Sequence, residues 1–184
     1  MVPLTALWLP IILSAVFVFI ASNILWVVLP FWHAKDYKRI PNDAPFVDAT
    51  KPLASGQYIY PWMDWKTMTP EQKQAASDGP AGFLIVRNPN KFSFPGALIQ
   101  YLLYTIVVSL FVAYLTGRVL GAGAPYLEVH RVAGTAGMLA WAFGTNVADS
   151  IWYGRPWSAT IKHVIDGVIF GFLIGGTFGW LWPG

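Results

Sequence analysis

Gly167, Gly171, Gly175 and Gly179 stand four residues apart within the apolar run 159–182. That spacing places all four on one face of a helix. In water such a helix is poor, because each interior glycine costs about 1 kcal/mol relative to alanine. In a bilayer a bare face lets a second helix approach closely, and small-xxx-small ladders drive packing there. The ladder therefore predicts a membrane helix with a close neighbour.

The rest of the chain agrees with that reading. Only 11% of its 184 residues are charged, against about 25% in soluble domains. Four stretches approach the roughly 20 residues needed to span a bilayer. The predicted fold is an all-α membrane protein with four transmembrane helices. Residues 1–32 hold helix 1, and 33–94 form an extramembrane, Pro-rich segment of about 65 residues. Residues 95–184 hold helices 2 to 4, over about 95–117, 127–150 and 159–182. The first apolar run has no basic residue ahead of it and continues beyond the usual length of a signal peptide, so it reads as a retained helix.

Within 33–94, Thr69-Pro70-Glu71-Gln72 supplies a cap, a first-turn proline and a capping-box glutamine, and Asp78-Gly79-Pro80 supplies a stop. A short helix near 70–77 follows. Gln57-Tyr58-Ile59-Tyr60 and Phe83-Leu84-Ile85-Val86 are β-prone runs that could pair as an antiparallel ribbon. Tyr58, Tyr60, Trp62 and Trp65 suit the headgroup level. A stripe of small residues in helix 3, Ala133, Ala136, Gly137, Ala140, Gly144 and Ala148, is the natural partner for the glycine ladder. The short connection between helices 3 and 4 makes them an antiparallel hairpin.

Basic residues set the orientation. Eight of the twelve Lys and Arg lie in 33–94, Lys91 among them, and Arg155 and Lys162 fall on the same side. Only Arg118 and Arg131 fall on the other. The positive-inside bias places 33–94 in the cytoplasm and both termini outside, in a bacterial inner membrane. The net charge of +3 with no aromatic-basic motif excludes nucleic-acid binding. With no cysteine, thiolate metal sites, iron–sulfur clusters and cysteine nucleophiles are excluded.

Candidate chemistry is sparse. The middle thirds of the predicted helices hold no ionisable group, and polar residues gather near the helix 3–4 connection: Asp149, Arg155, Lys162, His163 and Asp166. Lys162 and Asp166 share a helical face, and Asp149 can reach across to Lys162 or Arg155. As structure this is an interfacial charge network pinning the hairpin; as function it is a proton or ion entry point, or a binding site for a headgroup or partner loop. His130 and His163 open successive helices, so they lie at opposite surfaces and cannot share a haem. His33 falls on the side of His163 but in a loop, a weak pairing. No protease, hydrolase or phosphate-binding motif is present. No catalytic, metal or intrinsic cofactor site is predicted, which leaves room for bound lipid or a peripheral pigment.

Four motifs carry a resemblance: Ala6-Leu7-Trp8-Leu9-Pro10-Ile11, Ser109-Leu110-Phe111-Val112-Ala113-Tyr114, Ser150-Ile151-Trp152-Tyr153 and Gly176-Thr177-Phe178-Gly179-Trp180-Leu181-Trp182-Pro183. In these the chain resembles a group of small bacterial four-helix membrane proteins without assigned function. The resemblance implies the architecture and brings no activity with it. The expected role is a non-catalytic accessory subunit of a larger membrane complex, such as a photosynthetic or respiratory electron-transfer assembly, with other membrane subunits and the bilayer as partners. The alternatives are a small transporter or channel using the polar cluster, and a membrane enzyme using Asp149, His163 and Asp166.

Overall fold

The computed structural model describes residues 1–64, 66–88, 92–144 and 146–184. Trp65, read above as suited to the headgroup level, and Lys91, counted above toward the orientation, lie outside the described residues, as does Thr145 within predicted helix 3. The chain is mostly helical with one small sheet. Three helical stretches are long and apolar enough to cross a membrane: Leu4–Val28, Phe94–Val119 and Trp157–Trp180.

The first stretch begins as a 3-10 turn (Leu4–Leu7), continues as α1 (Trp8–Asn23) and loosens into a π turn (Ile24–Val28). Pro10 falls in the first turn of α1, where its missing N–H costs least. Pro30 then starts a single turn, α2 (Pro30–His33). The intervening segment holds α3 (Ala44–Thr50), β1 (Gly56–Tyr60), α4 (Pro70–Asp78) and β2 (Gly82–Val86). The expected ribbon forms, antiparallel, with Tyr58 opposite Leu84. Helix α4 also forms, and its capping box is complete: Thr69 Oγ1 accepts from Gln72 N, and Gln72 Oε1 accepts from Thr69 N.

Ser93 caps the next helix, α5 (Phe94–Val119), by accepting from Gly96 N. Helices α6 (Tyr126–Ala142), α7 (Asn146–Trp152) and α8 (Trp157–Trp180) follow. The continuous helix expected over 127–150 is two helices. α6 stops at Ala142, and Gly144 and Asn146, both weak interior residues, stand at the break. The 17-residue α6 is thus shorter than the usual membrane span.

α8 packs on both α6 and α1, α1 packs on α5, and α5 on α6, closing a four-helix ring. Leu7, Val18, Val112, Val129, Ile174 and Phe178 fill its core. Ser14 Oγ donates to Ser109 Oγ across the α1–α5 seam at 3.0 Å. Along the α6–α8 seam the glycine ladder lies against backbone. A Cβ on Gly175 would stand 2.7 Å from His130 O and 3.0 Å from Gly134 Cα, and one on Gly179 would stand 2.7 Å from Tyr126 Cδ2. The small residues that α6 buries are Ala133, Gly134, Gly137 and Ala142. Ala136 packs beside the core, whereas Ala140, Gly144 and Ala148 are exposed. The contact face therefore keeps Ala133 and Gly137 of the stripe read in the sequence and loses its carboxy-terminal half, and Gly144 and Ala148 lie beyond the end of α6.

At one end of the ring Gly123 adopts φ +75°, a turn that favours glycine, and its N–H donates to Pro183 O. There the carboxy-terminal residues fold onto the α5–α6 turn, with Trp182 Nε1 donating to Gly121 O. The opposite end, where α1 finishes and α8 begins, is the mouth that receives the polar residues.

Candidate polar latch and aromatic cavity at the bundle mouth

The turn that follows α1 folds back over the mouth and inserts His33, only 4% exposed, between two carboxylates. His33 Nδ1 lies 2.5 Å from Asp36 Oδ2, and Nε2 lies 2.9 Å from Asp166 Oδ2. A ring protonated on both nitrogens satisfies both acceptors. Trp32 Nε1 donates to the other Asp166 oxygen at 2.8 Å. Lys162 Nζ donates to Asp36 Oδ1 at 2.5 Å. Trp26 stacks on the His33 ring with centroids 3.9 Å apart. One tryptophan, one histidine and one aspartate of the turn thus clamp two residues of α8.

Two sequence expectations change here. Lys162 and Asp166 do not pair along their shared face, because Asp36 and His33 reach them first. Asp166 is also no surface residue. α8 begins at Trp157, two residues earlier than expected, so Asp166 lies about 14 Å along the helix at 1.5 Å per residue. It falls in the middle third and is 3% exposed. A buried carboxylate at that depth is tolerated because Trp32 and His33 each bring a hydrogen-bonding nitrogen to one of its oxygens.

The remaining members of the predicted cluster form an adjoining set. Arg155 donates to Asn146 Oδ1 at 3.0 Å and to His163 Nε2 at 2.5 Å, and lies 3.9 Å from Asp149 Oδ2. The rings of His33 and His163 are 5.2 Å apart, so the pairing judged weak from sequence is a close one. Its cause is the α2 turn, which lifts His33 out of the loop. His130 is at the far end, between Tyr126 and Phe172.

His33, Asp36 and His163 each offer a ligand atom within 4.8 Å of the others. Two imidazoles and a carboxylate are donors that zinc accepts. Lys162 on Asp36 and Arg155 on His163 already bring positive charge to those atoms, so cation binding requires both to swing away.

Sequence reasoning missed Trp26, Trp32, His33 and Asp36 as members of this site. The signal available was Trp32-His33 with Asp36 three residues after the histidine, one helical turn, placed directly after an apolar run.

Burial alone pushes the Asp36 carboxyl up, but hydrogen bonds and charge from Lys162 and His33 outweigh it and hold the group below its ordinary value. A carboxyl with a depressed folded value adds stability above its unfolded value and loses it as pH falls through the folded one. The latch should therefore hold at neutral pH, begin to weaken below about pH 4, where aspartate ordinarily titrates, and be lost as the pH falls through the lower value of the folded state. Proteolysis of the 33–43 turn across an acid series checks this, with Asp36→Asn expected to remove the acid step. Persistence of the step in that variant would assign it to another group.

Beside the latch, α1, α5, α6 and α8 part around a cavity of about 630 Å³. Trp26, Tyr101, Tyr104, Trp141 and Phe170 line it, with Asn23, Asn146, His163 and Asp166 as its polar portion. Comparison of the chain with protein-family models, with curated proteins and with solved structures finds no match in any of the three.

Proposed function

We propose that this protein is a non-catalytic subunit of a larger membrane assembly, held in a bacterial inner membrane with 33–94 in the cytoplasm. The observation that carries the reading is that the charged side chains of the mouth close on one another as a latch. Asp36 meets Lys162 and His33, Asp166 meets His33, and Asp149 faces Arg155, so each carboxylate of the set has a basic side chain beside it. Beyond Asp166, α8 buries Phe170, Ile174 and Phe178, and the polar side chains of the core around them are uncharged serines and threonines. Leu103, Val107, Phe111 and Leu115, four apart on α5, turn an apolar stripe outward. Such a face suits lipid or a neighbouring transmembrane helix. The latch fixes how the cytoplasmic segment leaves the bundle, which is what a scaffold requires.

A transporter or channel is the second reading, favoured by the depth of Asp166, since ionisable groups within membrane segments commonly mark ion pathways. Isolation from native membranes in mild detergent, followed by mass spectrometry and an absorption spectrum, separates the two. A stoichiometric set of co-migrating subunits is the expected result and names the host. A colourless homo-oligomer without partners would sink the subunit reading and direct work to transport assays on Asp166→Asn.

A further inference from the structure

We infer that the aromatic cavity at the bundle mouth is a binding site for a neutral, lipid-soluble molecule with a flat ring and carbonyl oxygens, the class to which benzoquinones belong. Its volume of about 630 Å³ falls within the range of ligand pockets. The wall supplies Trp26, Tyr101, Tyr104 and Trp141, whose faces and edges accept a planar ring in stacked or edge-on contact.

The polar groups specify the ligand further. Tyr104 brings a hydroxyl to the wall, and Asn146, whose carbonyl oxygen is taken by Arg155, retains its amide N–H groups. Trp141 carries a buried indole N–H with no hydrogen-bond partner among the described residues. An unpaired buried donor is costly, and a ligand oxygen reached by a small turn of that ring would relieve it. These groups are donors, so the complementary ligand brings acceptors. Asp166, also in the wall, disfavours an anion, and its two oxygens are already engaged by Trp32 and His33. A neutral carbonyl compound meets all of these conditions. A saturated acyl chain would fill the volume but leave the donors unmet.

The site is independent of which assembly holds the chain, so its test uses the purified full-length protein in lipid nanodiscs. Decylubiquinone is the probe, and quenching of tryptophan emission is the readout, because Trp26 and Trp141 line the cavity. The expected result is saturable quenching. Ala140, an exposed wall residue, can be enlarged without disturbing the core. Ala140→Phe should therefore weaken binding at least about tenfold, a change of about 1.4 kcal/mol. Tyr104→Phe keeps the ring, removes the hydroxyl and should weaken binding several-fold; it decides the matter if Ala140→Phe fails to fold. Quenching that rises linearly with probe and is equal in both variants would overturn the inference. Saturable quenching abolished by excess dodecane but unchanged in Tyr104→Phe would also overturn it, assigning the cavity to acyl chains.

Discussion

Gly175→Ala should lower the stability of the bundle by about 1–3 kcal/mol, the cost of overpacking a tight interior, whereas Gly176→Ala, one residue on, should be neutral or stabilising. Alanine is the better helix former at both positions by about 0.5–1 kcal/mol, so propensity alone predicts two gains. The surroundings reverse the sign at one of them. A Cβ on Gly175 meets the His130 carbonyl oxygen at 2.7 Å and Gly134 Cα at 3.0 Å, and these backbone atoms of α6 move only if the helix moves. At Gly176 the nearest atom is the Tyr126 hydroxyl at 3.8 Å, an ordinary contact. Thermal unfolding in detergent, followed by circular dichroism, should put Gly175→Ala below the parent and Gly176→Ala at or above it. Equal midpoints would show that α6 and α8 do not pack at the distance described.

Loss of Asp166 should be the most damaging change at the mouth. Asp166→Ala leaves the Trp32 indole N–H and His33 Nε2 buried without their acceptor. Removing one partner of a buried charged pair costs about 3–5 kcal/mol, mostly because the other is stranded. Asp166→Asn retains one carbonyl oxygen and should cost less. The sharper test is the double variant Asp166→Ala with His33→Ala. Residues in one network are coupled, so the pair should lose less than the sum of the single losses. Strict additivity would mean that the turn after α1 is not held by α8. Proteolysis of the turn gives a second readout, since the latch is what keeps it on the mouth.

The two predictions draw on different sources. The ladder of Gly167, Gly171, Gly175 and Gly179 is readable from spacing, because a helix converts a four-residue repeat into a face whatever surrounds it. The apolar runs, the Thr69 capping box and the β-prone pairs at 57–60 and 83–86 are equally local, and each corresponds to an element of the fold. Length and apolar content thus marked the three long helices, and cap chemistry marked α4.

What only the tertiary structure decided involves residues far apart in the chain. The amino-terminal half of the stripe, Ala133 and Gly137, is buried as read, but Gly134, Met138 and Ala142 meet the ladder where Ala140, Gly144 and Ala148 were expected, because the rotation of α6 and its end at Ala142 depend on packing. His33 and Asp166 are separated by 133 residues, yet they form the centre of the latch. Each had a plausible local role, as a loop histidine and as the partner of Lys162. Sequence spacing ranks local pairs first, because it contains no information on which segment returns to a given place. A buried carboxylate, however, binds whichever donors arrive with it. The fold of α2 over the mouth supplied Trp32 and His33 as those donors, and that choice was made by the tertiary structure alone.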